Sequence, residues 1–225
     1  GDIVSEAGGQ GTQDLVIASV DYTLTANVEW LDLANGGNYA GTGNELANDI
    51  DGGDGNNVIN GGAGDDDLNG GTGTDTISFA DDVAGVSGTI NSTFVGDLTG
   101  TDTTAAFENV VGGSGDDTFT GTAAGNSIDG GAGNDILATG GGDFDDFLIG
   151  GSGTDTATFA SETLALTINL NTTTAQEIDT GTTALGQVDF DSIENLIGGS
   201  GNDTFTAVNT GASDLTGGLG TDTFH

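Results

Sequence analysis

The chain of 225 residues carries 36 carboxylates, neither lysine nor arginine, and one histidine, His225, for a formal net charge of −36. Without basic side chains it cannot neutralise nucleic-acid phosphates or hold a nucleotide through a P-loop lysine, and anionic membrane surfaces repel it. The absence of cysteine excludes disulfides and thiolate zinc sites, and no apolar run approaches the ~20 residues of a membrane-crossing helix.

Side-chain salt bridges have no cationic partner in such a chain, and a compact state repels itself. It is therefore either a disordered acidic polymer or a chain folded around bound cations. The order of the residues separates the two. At the N-terminal end, Val16–Val20 and Tyr22–Leu24 read as strands. Val28-Glu29-Trp30-Leu31 comes next, with Trp30 expected to pack, and Gly41–Leu46 leads into a glycine-rich block at 52–78. A β-rich spacer then runs to Phe107-Glu108-Asn109-Val110-Val111, which opens a second block at 112–158. Leu164, Leu166, Ile168 and Leu170 alternate with small or polar residues, the period-2 pattern of a half-buried strand. Ile193-Glu194-Asn195-Leu196-Ile197 repeats the earlier segment and opens a third block at 198–225. No stretch carries a helical period, and the 44 glycines argue against long helices. Three modules result, 1–78, 79–158 and 159–225, each a spacer leading into a glycine-rich block, expected to run as one continuous elongated solenoid.

Within the blocks the string G-G-x-G-x-D occurs seven times, beginning at Gly61, Gly70, Gly112, Gly130, Gly150, Gly198 and Gly217. Chance at these glycine and aspartate frequencies expects about 0.2 copies. The eighth position is a large apolar residue in six of them: Leu68, Ile77, Phe119, Leu137, Phe205 and Phe224. The other has Ala157 there, with Phe159 two residues on. Degenerate units keep the nine-residue register at Gly52–Asn60, Gly121–Asp129 and Gly141–Ile149, the last with Phe144 in place of a glycine. Thr139–Gly140 is a two-residue insertion.

Each unit divides into a turn and a short strand. The glycines permit positive φ and close backbone approach, so the chain reverses with its carbonyls turned inward. The eighth side chain alone points to the interior. If every unit reverses the chain, two units make one coil of 18 residues, and residues 18 apart stack. Asn57 then lies over Asp75 and Asp117 over Asp135. The insertion moves the next partners to Asp155 and, from Asn126, to Asp146. Carboxylates stacked at strand spacing, ~4.8 Å, repel unless a cation lies between them. Calcium, which takes six to eight oxygens from carboxylates and carbonyls, suits such a turn and would make folding and metal binding one process.

The units Gly61–Asn69 and Gly130–Ala138 resemble the RTX calcium-binding nonapeptide. Asp21–Glu29 and the Glu-Asn-Val-Val-Gly-Gly segment resemble spacers of large bacterial RTX-repeat exoproteins. The resemblance implies an all-β fold, a right-handed parallel β-roll or β-solenoid built from GGxGxDxUx repeats with β-rich spacers. It also implies several calcium ions held between turns, with Asp66, Asp75, Asp117, Asp135, Asp146, Asp155, Asp203 and Asp222 as ligands, and Asn57 and Asn126 as weaker, uncharged ones.

Glu108 and Glu194 recur at module period and read as a structural ladder or exposed face rather than a catalytic pair. Asp65, Asp67, Asp81 and Asp116 read as solvated surface, and His225, lone and terminal, has no metal role. A nucleophile here would have no ordinary base, so no independent enzyme is expected. The function expected is that of a secreted, calcium-dependent structural or assembly protein at the cell surface: a surface layer, adhesin stalk or extracellular filament subunit. Gly1–Ala7 resembles the segment found just after such a unit in RTX-repeat proteins, so the chain reads either as an excerpt of a longer parent or as a subunit that self-associates head to tail. The alternatives are an accessory β-roll of a secreted RTX enzyme or toxin and, below it, an ice- or glycan-binding solenoid. Partners are calcium and further copies or parent chain, without nucleic acid and without membrane insertion.

Overall fold

The computed structural model describes residues 3–5, 14–34, 36–96, 100–142, 145–172, 176–177, 187–207 and 213–225. Gly1, Asp2, Glu6, Ala7 and Phe144, singled out in the sequence, lie outside them. The described residues form short strands and turns without a helix. They divide into two compact units, Gly1–Val111 and Gly112–His225.

In the first unit one ladder pairs Leu15–Ala18, Trp30–Leu33, Asp49–Asp51, Asp67–Asn69 and Gly100–Ala105 in parallel. A second pairs Tyr22–Thr23, Ala40–Thr42, Val58–Asn60, Thr76–Ser78 and Asn109–Val111. The chain alternates between the two, so each coil contributes one strand to each. Among the described residues coiling is therefore present from Leu15, well before the first nonapeptide. In the second unit the ladders are Thr118–Thr120, Ile136–Ala138, Thr156–Thr158, Asn195–Ile197 and Leu215–Thr216, and Ser127–Asp129, Asp146–Ile149 and Gln187–Asp191. A third face pairs Thr167–Asn169, Thr204–Thr206 and Thr223–Phe224. Antiparallel additions come from outside the nonapeptides: Ile3–Ser5 on Leu15–Ala18, the meander Val86–Thr89, Thr93–Gly96 and Gly100–Ala105, and Gln176–Glu177 on Gln187–Asp191.

Three-residue strands bury only their middle side chain, so the core is a set of single-file columns. Val16, Leu31, Ile50 and Leu68 stack in register in the first unit, all 1% exposed or less. Phe119, Leu137, Ala157 and Leu196 do so in the second, each fully buried. Each such Leu, Ile or Phe contributes ~1.5–3 kcal/mol. The small Ala157 is accompanied by buried Phe159, whose ring meets Phe190 edge-on at 6.2 Å. Phe79 is placed like Phe159, and its N–H donates to Val111 as that of Phe159 does to Ile197. Two expectations are corrected. Phe224 is 48% exposed, its ring meeting that of Phe205 edge-on at 6.0 Å. Trp30 turns outward, 36% exposed, over a shallow depression shared with Leu15, Asp32, Asp49 and Asp51.

The predicted coil length holds: strands pair at offsets of 18, as in Val58 with Thr76, and of 20 across the insertion, as in Ile136 with Thr156. Gly140, Gly141 and Gly142 absorb the extra residues at φ +83, +84 and +104. In five of the seven G-G-x-G-x-D turns the glycines at the second and fourth positions hold positive φ, as at Gly131 (+93) and Gly133 (+133), the turns beginning at Gly112 and Gly198 being the exceptions, and the fourth-position glycine also lies against the coil beside it. A Cβ on Gly133 would stand 2.1 Å from the Gly115 carbonyl oxygen, whereas one on Gly141 meets nothing nearer than 3.7 Å. Gly141→Ala should therefore cost ~1 kcal/mol of unfolding free energy, from backbone strain alone. Gly133→Ala should cost ~3 kcal/mol or more, strain plus a backbone clash. Urea unfolding of both variants in saturating calcium measures the difference, and equal losses would contradict the packing described.

Candidate metal centre

Each turn is entered through the ninth residue of the preceding unit. The side-chain oxygens of Asp51, Asn60 and Asp129 accept the N–H of Gly53, Gly62 and Gly131 at 3.0, 2.9 and 3.0 Å. These short loops aim the next residues inward and bring the sixth side chain back over the first glycine. A Cβ on Gly61, Gly112, Gly130 or Gly217 would stand 2.1–2.3 Å from an Oδ2 of its own turn, that of Asp66, Asp117, Asp135 or Asp222. The first glycine is thus required for the space it leaves, and in the turns beginning at Gly61, Gly70, Gly130, Gly150 and Gly217 the glycines at positions two and four for their backbone angles. At Gly112 and Gly198 the same point also lies 2.3 and 2.5 Å from a carbonyl oxygen of the next coil, that of Gly130 or Gly217. A carboxylate oxygen and a carbonyl oxygen converge there.

The sixth positions form ladders. The N–H of each donates to the Oδ1 of the sixth residue in the next coil: Asn48 to Asp66 (2.7 Å), Asn57 to Asp75 (2.7 Å), Asp117 to Asp135 (2.7 Å), Asn126 to Asp146 (2.8 Å), Asp135 to Asp155 (2.8 Å) and Asp203 to Asp222 (2.9 Å). All the stacking pairs read from the sequence are therefore in register. Asp66, Asp75, Asp117, Asp135, Asp146, Asp155 and Asp203, with Asn57 and Asn126, are at most 4% exposed, and Asp222 is half-buried.

The second side-chain atom distinguishes Asn from Asp. The amide nitrogen of Asn57 donates to the Gly52 carbonyl at 2.8 Å, and that of Asn48 to the Val28 carbonyl at 3.0 Å. At Asp117 the second oxygen accepts the Gly113 N–H at 3.0 Å. The Oδ2 atoms of Asp66, Asp75, Asp135 and Asp155 are buried without any hydrogen-bond partner. A buried unpaired charge is expensive, and the group neutralises or finds a counter-charge. Burial accordingly pushes Asp66 and Asp135 up to about 6 and Asp146 to about 7, against the N–H bonds from Asn48, Asp117 and Asn126. Asp75, Asp155 and Asp203 move the same way for the same first cause.

Three groups of residues were not assigned to the site from sequence. Asp102, in the spacer, is 1% exposed; its Oδ1 accepts the Asp66 N–H at 3.0 Å and its Oδ2 is unpartnered. Glu108 and Glu194 take the sixth position in their coils, accepting the N–H of Asp75 and Asp155 at 2.7 and 2.9 Å. Their recurrence at module period was the available signal, and the ladder reading of it is the one the structure supports. The fifth position forms an outer ladder of its own. Asp65 and Asp116, read as plain surface, accept the N–H of Thr101 and Asn134 at 2.9 and 2.7 Å, and Asn134 in turn accepts that of Thr154. Asp82, outside any repeat, is also buried with an unpartnered Oδ2. His225 is exposed.

The donor set is all oxygen, which suits a hard cation and not a thiophilic one. Among the described residues no three acidic or histidine side chains converge on one point. Calcium fits this arrangement, because it accepts backbone carbonyls beside one or two carboxylates.

The family model of the RTX calcium-binding nonapeptide repeat matches four stretches of the chain, residues 42–77, 111–143, 141–158 and 190–207. No curated protein matches the chain.

Two outcomes are expected. Carboxylates whose pKa is raised in the folded state favour folding below the unfolded value of ~3.9, and that stability is lost as pH rises through about 6 to 7. Calcium-free protein should therefore gain β-structure between pH 8 and pH 5, which circular dichroism would record; a loss on acidification would contradict the burial argument. Asp135→Asn should act with opposite sign in the two states. The amide can reach the Gly130 carbonyl as Asn57 reaches Gly52, adding ~1–2 kcal/mol without calcium. The same change should lower stability in calcium, and parallel thermal melts would show both.

Proposed function

We propose that this chain, built on four matched stretches of the RTX calcium-binding nonapeptide repeat, is a structural module of a secreted protein that coils when calcium fills its turns. The observation that carries the reading is the set of buried carboxylate oxygens left without a donor in a chain that has no lysine or arginine. Asp66, Asp75, Asp117, Asp135, Asp146, Asp155, Asp203 and Asp222 would hold the ions together with turn carbonyls. Asn57 and Asn126 would stand at the ends of gaps that carry a single carboxylate.

Bound calcium supplies the positive charge that lets two stacked coils keep ionised carboxylates inside. The chain's own part is positional. The first glycine leaves room for the carboxylate, the N–H ladder orients one of its oxygens, and the interior columns set the distance between coils. Where calcium is scarce, as inside a cell, self-repulsion at charge −36 keeps the chain extended. Where it is millimolar, outside, the turns fill and the coils stiffen. A non-catalytic role at the cell surface, as part of a longer array or of an assembly of copies, is the role that suits such behaviour.

Calcium titration monitored by circular dichroism and small-angle scattering tests this. The expected result is an extended chain in EDTA that gains β-signal and contracts as calcium is added, with several ions bound per chain. A full β-spectrum in EDTA at neutral pH would overturn the proposal.

A further inference from the structure

The spacer between the first and second blocks contains a turn of nonapeptide form that its sequence conceals. Residues 78–110 fall outside the repeat matches, and around Asp102 they hold only one glycine, Gly100, of the expected pattern. The backbone nevertheless reproduces the latter part of a nonapeptide turn, position by position. Gly100 has φ +87, and a Cβ there would stand 2.3 Å from the carbonyl oxygen of Gly64, the fourth-position glycine of the turn in register with it. Gly73 lies on Gly55 in the same manner, at 2.0 Å. Thr101 donates its N–H to Asp65, completing the fifth-position ladder. Asp102 accepts the N–H of Asp66 at 3.0 Å, completing the sixth. Thr103 donates to the Asp66 carbonyl at 2.8 Å, as Asp67 does to Asn48 and Ile136 to Asp117. Thr104 sits in register with Leu68, at the interior eighth position, and is 7% exposed.

The gap between Asp66 and Asp102 is closed to solvent. Both side chains are at most 2% exposed, and each carries an Oδ2 with no hydrogen-bond partner. Each of the two stacked side chains therefore buries an acceptor to which the protein contributes no donor. The third module offers a contrast at the corresponding step. There Leu166 donates its N–H to Asp203 at 2.9 Å, so the rung is present but one side of the gap has no carboxylate.

We infer that Asp66 and Asp102 together hold a calcium ion that fastens the antiparallel strands Val86–Thr89, Thr93–Gly96 and Gly100–Ala105 to the first unit's coils. The spacer is then not a passive insertion: its last strand completes a site begun by a repeat. The inference rests on the reading of the repeats as calcium sites, since Asp66 serves both.

The test uses Asp102→Asn in the full chain, which keeps an oxygen acceptor for the Asp66 N–H while removing the charge. Asp49→Asn, at an exposed strand position outside the turns, is the control, and Asp102→Ala guards against an amide ligand. Equilibrium dialysis against calcium alone should give one ion fewer per chain for both Asp102 variants and an unchanged number for the control. Hydrogen exchange at saturating calcium should run about tenfold or more faster in 86–96 and 100–105 of the variants, with 49–60 unaffected. An unchanged ion count in both variants overturns the inference while leaving the repeat sites standing. Absence of calcium binding by the parent chain removes the reading on which it rests.

Discussion

The structure turns on one unsatisfied interaction, the buried carboxylate oxygen that no group in the chain can answer. A hydrogen bond to a charged acceptor contributes ~1.5–3 kcal/mol, so the single N–H given to each Oδ1 recovers only part of a desolvation cost of several kcal/mol per ion. With no lysine or arginine anywhere in the sequence, the remainder must come from a proton or from a cation in solution. The glycines, the loops at the ninth position and the ladder of N–H donors all serve to place that oxygen. None of them neutralises it.

The interior columns and the polar turns divide the work between them. Columns such as Val16, Leu31, Ile50 and Leu68 fix coil on coil but are one side chain wide. The turns decide whether the coils can be stacked at all. The joints between spacer and block show the same economy. A non-glycine residue in the left-handed region, Asn27, Ala106 or Ser192 (φ 67, 58 and 56), immediately precedes Val28, Phe107 or Ile193. A glutamate comes directly after each of these. At Glu108 and Glu194 the residue's own N–H and the next both point at one carbonyl, that of Asp75 or Asp155. The displaced backbone is met by a side chain one methylene longer, and the rung is kept.

Much of this was legible. Nine-residue spacing, an apolar eighth residue and a sixth-position aspartate gave the coil length and the partner of each aspartate, including the shift caused by Thr139–Gly140. What stayed hidden depends on backbone geometry that several sequences can supply. The turn at 43–48 keeps Gly43 and Asn48 but has Asn44 and Leu46 where glycines were sought, so coiling before residue 52 gave no motif. Asp102 comes after one glycine instead of three. The outer ladder escaped because Asn, Asp and Thr all serve at the fifth position, leaving no single residue type to search for. Trp30 stands where its sister segments have asparagine, and its bulk suggested packing, whereas that strand position faces outward.

The ladders skip along the chain by unequal distances. Consecutive rungs lie 18 residues apart from Asn48 to Asp66 but 36 apart from Asp66 to Asp102, and 39 from Asp155 to Glu194. Loop-closure entropy grows only as the logarithm of length, so doubling a loop adds about 0.6 kcal/mol. The long excursions are therefore nearly free at equilibrium, while the short coils have the advantage in the search for contacts. Folding in this chain is expected to start within the tandem units, with each spacer threaded back afterwards to the rung it was made to meet.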